Sequence, residues 1–107
     1  MEPINSLTFD LLRKANVERC HEVYHPINEW SESDWATALA GECGEVCHVV
    51  KLRRRGEDIS IYALGDELAD LVIYADLLAE RVGIDLGEAI SRKFNGTSRK
   101  MQSKVQL

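Results

Sequence analysis

Glu42, Glu45, Glu67 and Asp70 are the side chains whose type and spacing bear most directly on chemistry in this sequence. They form two pairs, Glu42-x-x-Glu45 and Glu67-x-x-Asp70, each inside a stretch of helical periodicity. An i, i+3 spacing turns both acids of a pair onto one helix face. Two such faces brought together gather up to four negative charges in a small volume. Like charges so close repel, and a cation relieves them; carboxylate oxygens are the ligands that hard ions such as Mg²⁺ prefer. Ions held there would neutralise a polyphosphate, align it and activate a water, with one of the acids as general base. The plain alternative is that all four acids are solvated helix surface.

Their placement on the helical wheel argues against that alternative. At about 100° per residue, Leu39, Cys43, Val46, Cys47 and Val50 form one apolar stripe, with Glu42 and Glu45 on its flank. Leu64, Leu68, Leu71, Ala75, Leu78 and Val82 form a second, with Glu67 and Asp70 on the equivalent flank beside Tyr74. Asp66, Asp76 and Glu80 fall elsewhere, as expected for solvent-facing charges. The small residues Gly41, Gly44 and Ala69 would let two such helices approach closely enough to share ions.

The elements that must position these acids are helices. A first is expected from about Ser6 to Tyr24, with Leu7, Leu11, Leu12 and Ala15 on one side, interrupted at His25-Pro26 because the residue before proline leaves helical geometry. Ser31-Glu32-Ser33-Asp34 resembles a capping box opening the second, which stops at Gly56. Asp58 or Ser60 starts a third that ends near Val82-Gly83. Asp85 caps a fourth reaching about Asn95-Gly96, and residues 97–107 form a polar, basic tail, either ragged helix or flexible.

The bulk numbers fit one small domain over residues 1–107. The chain has 107 residues, 45% apolar and 29% charged, with a formal net charge of −5. An acidic balance argues against nucleic-acid binding through the phosphate backbone. Met1-Glu2-Pro3-Ile4-Asn5 lacks the pattern of a signal peptide, and no apolar run approaches the roughly 20 residues that cross a bilayer. Cys20, Cys43 and Cys47 cannot all pair within the chain, and buried reduced thiols are the expected state. A cytoplasmic location is the default expectation.

Two further patterns compete for attention. Lys51, Arg53, Arg54 and Arg55 close the second helix, and Arg92, Lys93, Arg99 and Lys100 lie near the fourth. They suit phosphate contacts, Lys51 among them, although the helix dipole alone favours cations at a C-terminus. Glu45-Val46-Cys47-His48 reads as Glu-x-x-His, half the signature of a carboxylate-bridged di-iron bundle. The second half is missing, since Asp70 is followed by Ile73, and His48 points away from the acids.

The order and spacing of the acid pairs resemble the ExxE–ExxD motif of the all-α nucleoside triphosphate pyrophosphohydrolases, the MazG-like superfamily. Glu45 and Glu67 are separated by 21 residues. Trp35 with Ala38-Leu39-Ala40-Gly41-Glu42, the run Asp66 to Tyr74, and Lys93-Phe94-Asn95 agree with it, so the likeness covers roughly residues 30–98. It implies an all-α bundle of four to five helices completed by dimerisation, as a homodimer or homotetramer. It also implies Mg²⁺-dependent cleavage of a (d)NTP between the α and β phosphates, with Mn²⁺ as a possible substitute and a role in removing non-standard nucleotides or adjusting dNTP pools.

By matching position, the resemblance makes Glu42, Glu45, Glu67 and Asp70 metal ligands and offers Glu42 or Glu45 as the base. Lys93 would face phosphates, Asn95 the sugar or base, and Tyr74 the sugar. Related pyrimidine enzymes place aromatic and His side chains before the first acid pair, which points to His25, Trp30 and Trp35, with Asn28 near a base edge; Trp is well suited to stacking on a base. One departure stands out: Asn95 is followed by Gly96-Thr97-Ser98-Arg99-Lys100 where the family often has an acid. The related phosphoribosyl-ATP pyrophosphohydrolase and a non-catalytic helical interaction module are the alternative readings.

Overall fold

In a computed structural model, described here for residues 6–107, the chain forms α1 (Phe9–Val23), a 3₁₀ turn (Ile27–Glu29), α2 (Glu32–Arg54), α3 (Ile61–Val82) and α4 (Leu86–Lys100). No strand occurs among the described residues. The N-terminal pattern read for residues 1–5 lies outside them.

Side-chain caps set the helix starts. Thr8, Ser31, Ser60 and Asp85 each accept a hydrogen bond from a backbone N–H three residues on, and at α2 the Asp34 carboxylate accepts the Ser31 N–H in return, completing the capping box. Glycines set two of the ends. Gly56 and Gly83 take φ of 85° and 76°, left-handed values open to glycine at little cost. The Ile84 N–H then reaches back to the Ala79 carbonyl at 2.8 Å, closing α3. α4 overruns its expected end at Asn95-Gly96 and continues to Lys100, because Gly96 stays helical and the Met101 N–H caps the Thr97 carbonyl.

The most extensive packing is α2 against α3, with α1 crossing α3 and α4 resting on α1. The line of α2 that docks runs through Trp35, Ala38, Leu39, Glu42, Val46, Val49 and Leu52, all buried or half-buried. Cys43 and Cys47 stand one position round from that line and are exposed, which corrects the expectation of buried thiols; Cys20 alone is buried, and all three are free.

α1 also docks on an unexpected face. Leu7 and Leu11 are exposed, and the buried positions are Asn16 and Cys20. The reason is polar pairing. The Asn16 amide donates to the Ile73 carbonyl at 2.9 Å and to Asp76 at 3.1 Å, and Arg13 reaches Asp76, Glu80 and the Ile84 carbonyl. Asp76 is therefore a buried charge and not the solvent-facing acid its wheel position suggested; paired and hydrogen-bonded, it can be tolerated inside. The apolar centre is small: Cys20, Ile27, Trp35 and Leu77, flanked by Val17, Trp30, Ile73, Tyr74 and Leu78.

Candidate active site

Glu42 lies in the α2–α3 seam, and Glu67 faces it from α3, both half-buried. With Asp70, one turn further along α3, they offer carboxylate oxygens that all lie within 4.8 Å of one another. The packing of α2 on α3 thus brings three of the four paired acids into one cluster. Glu45 is exposed and stands outside this trio. It is nonetheless close enough that its charge, with those of Asp70 and Glu67, raises the proton affinity of Glu42, an effect led by loss of water around that carboxyl. A trio of oxygens with like charges fits a hard divalent cation, and Glu45 lies one helical turn from Glu42 on α2.

The cluster opens into a cavity of about 300 Å³ lined by residues of α1, α2, α3 and the connector between α1 and α2. Its acidic end carries Glu42 and Asp70. Its other end is aromatic: the His25 and Trp30 rings are 4.5 Å apart, Trp30 and Trp35 4.6 Å, His25 and Trp35 5.5 Å, and Trp35 and Tyr74 6.5 Å. Trp35 is the buried wall, its indole N–H donating to the Ile27 carbonyl at 3.0 Å. Trp30 is half-exposed, tethered at its carbonyl by the Arg81 guanidinium at 2.7 Å, and so presents a ring to the cavity. His25 Nδ1 donates to the Pro26 carbonyl at 2.9 Å, which fixes its ring orientation. Tyr74 bridges the two ends, and burial together with the charges of Glu42 and Asp70 holds its hydroxyl above the usual phenol range.

An acidic cluster that suits a divalent ion, joined to an aromatic cavity that suits a planar ring, is the arrangement expected for a nucleotide. A family model described as the MazG nucleotide pyrophosphohydrolase domain matches residues 30–104. The chain belongs to that family. No curated protein and no solved structure matches it significantly. Its all-α architecture accords with the MazG fold, and at family level the domain is that of a nucleotide pyrophosphohydrolase.

Not every expected contact of the MazG domain is assembled within one chain. Lys51 is exposed on α2 and Lys93 on α4, and neither lines the cavity. Asn95 is engaged elsewhere: its carboxamide accepts the Leu107 N–H at 2.8 Å and donates to the Leu107 carbonyl at 3.3 Å. Asn28 and His48 are exposed, and the acid trio includes no histidine. Conversely, α1 and its C-cap contribute Asn16, Arg19, Cys20 and Tyr24 to the cavity wall, none of them expected as site residues from the sequence. Their i, i+3, i+4, i+8 spacing marks one helix face and was the available signal.

Proposed function

We propose that the protein is a Mg²⁺-dependent nucleotide pyrophosphohydrolase that cleaves a (d)NTP between the α and β phosphates, yielding a (d)NMP and pyrophosphate. The observation that carries this reading is the convergence of Glu42, Glu67 and Asp70 within 4.8 Å at the mouth of an aromatic cavity. Mg²⁺ at these carboxylates, with Mn²⁺ able to stand in, would neutralise the phosphate chain and lower the pKa of an attacking water. Glu42, Glu45, Glu67 and Asp70 are the ligands, and the first pair supplies the acceptor for the water's proton. The oxygen of that water forms the new P–O bond as the α–β bridge breaks, and pyrophosphate leaves. Trp30 and His25 hold the base and Tyr74 the sugar.

The reading extends to assembly. One domain spans residues 1–107, and its bundle is completed by a second copy. The Cα radius of gyration is 16.3 Å, above the about 13 Å of a compact domain this long. Leu11, Val50, Leu68, Val72 and Phe94 are large apolar side chains left exposed. Lys51, Lys93 and Asn95 belong to the site in that assembled form. No helix among the described residues is long and apolar enough to cross a membrane; a cytoplasmic, house-cleaning or pool-adjusting role completes the proposal.

The test is a panel of dNTPs, NTPs and (p)ppGpp with Mg²⁺, scored for pyrophosphate against orthophosphate. Pyrophosphate with the matching monophosphate is expected. Orthophosphate alone would remove the α–β assignment, and no turnover with no metal binding would leave an interaction module.

A further inference from the structure

Arg19 stands in the wall of the cavity, and no ion pair among the described residues uses its charge. The salt bridges among the described residues join Arg13 to Asp76 and Glu80, and Arg92 to Glu88; Arg19 takes part in none. The contrast with Arg13 on the same helix is informative, because Arg13 is fully engaged by two carboxylates and a carbonyl. Arg19 is exposed, yet it lines the same cavity as Glu42, Asp70 and Tyr74, and it is the one Lys or Arg among the described residues that does so. It also precedes the stretch that matches the family, so nothing about that family assigns it a role.

The charge balance says what such a residue is for. Four carboxylates offset the charge of two divalent ions, so ions held by this cluster leave little net positive charge for a polyanionic phosphate chain. Within one chain the cavity wall offers such charge at Arg19, since Lys51 and Lys93 of the same chain do not line it. A guanidinium suits the task, since its planar fork donates two parallel hydrogen bonds to phosphate oxygens and keeps its charge at any working pH. We propose that Arg19 binds the phosphate chain of the nucleotide, donating to its non-bridging oxygens while the base lies against the aromatic wall. This rests on the pyrophosphohydrolase reading and names a binding residue for it on α1.

Arg19→Ala and Arg19→Lys, compared with the unaltered protein in Mg²⁺, test the assignment. Melting temperatures should be unchanged, because the side chain holds no ion-pair partner among the described residues. Arg19→Ala should lower kcat/KM for the best triphosphate by roughly ten- to a hundredfold, the worth of a charge-assisted fork. Arg19→Lys should recover part of it, keeping the charge without the fork. Inorganic tripolyphosphate should inhibit Arg19→Ala correspondingly less well than the unaltered protein, while the unphosphorylated nucleoside of the same substrate inhibits both equally. An active unaltered protein whose Arg19→Ala variant keeps its kcat/KM overturns the Arg19 assignment alone. So does a variant that loses nucleoside inhibition and not tripolyphosphate inhibition, since that marks a base contact. An unaltered protein that neither binds nor cleaves any triphosphate overturns the pyrophosphohydrolase reading, and this proposal with it.

Discussion

Arg13 Nε donates to Asp76 Oδ1 at 2.9 Å, and this pair pins α1 across α3 behind the cavity. The Asp76 side chain is only 1% exposed, so its charge depends on Arg13 and Asn16 for compensation. Breaking a buried pair from one side leaves an uncompensated charge inside. Arg13→Ala should therefore cost about 3 kcal/mol of stability, read as a lower urea midpoint. The less disruptive Asp76→Asn should cost less, because it removes the buried charge itself and leaves Arg13 paired with Glu80 and the Ile84 carbonyl. Equal stability of all three proteins would show that the pair does not hold α1.

The two tryptophans should separate stability from binding. Trp35 is 2% exposed and meets the Ile27 carbonyl, so Trp35→Ala should cost about 3–5 kcal/mol. Trp30 lies half-open on the cavity. Trp30→Ala should cost clearly less stability than Trp35→Ala and raise KM for the nucleotide about tenfold, within the range seen for loss of one base–aromatic stack. A Trp30→Ala protein with normal KM would remove the base from that wall.

Much of this was legible in the sequence, for reasons that particular residues show. Ser31 with Asp34, Ser60, Gly83 and Asp85 mark helix ends through chemistry confined to a few neighbouring positions, and the structure uses them as such. The acid pairs were legible because their spacing fixes one face on each helix. A helical wheel gives angles about one axis but not the azimuth at which two helices dock. Cys43 and Cys47 fell on the wrong side of that line. Asp76 was misplaced because its partner Arg13 is 63 residues away, a distance at which no local pattern operates. Arg19 shared a helix face with Asn16, Cys20 and Tyr24, but nothing local gave that face a role: the cavity it lines exists only once α1 has crossed α3.

Metal and activity should be lost together at Glu67. Binding to the native state alone raises stability by mass action, so excess Mg²⁺ should raise the melting temperature of the unaltered protein and EDTA should reverse the gain. Glu67→Gln removes a charged member of the trio. It should abolish the Mg²⁺-dependent rise and lower turnover by about a hundredfold or more, since even the outer partners of a metal ligand cost 10–100-fold when removed. Full activity in Glu67→Gln would mean that the cluster is not the metal site.

Without metal, the same cluster should make the protein less stable as pH rises. The Glu42 carboxyl holds its proton more tightly in the fold than in the unfolded chain, because the seam excludes water and because Asp70, Glu67 and Glu45 carry like charge. Between the ordinary carboxylate value and this raised one, the native state binds more protons than the unfolded state, so stability falls as pH increases through that window. Asp34 acts in the opposite sense, its carboxyl being held below the usual range by the Ser31 cap, and it is common to any Glu42 variant. In EDTA, Glu42→Gln should therefore melt above the unaltered protein near pH 7, and the gap should close as pH is lowered through the window, where both side chains are neutral. Excess Mg²⁺ at pH 7 should reverse the order, since only the intact trio gains from the ion. A gap that is absent, or independent of pH, would show that the four acids do not repel one another in the native fold.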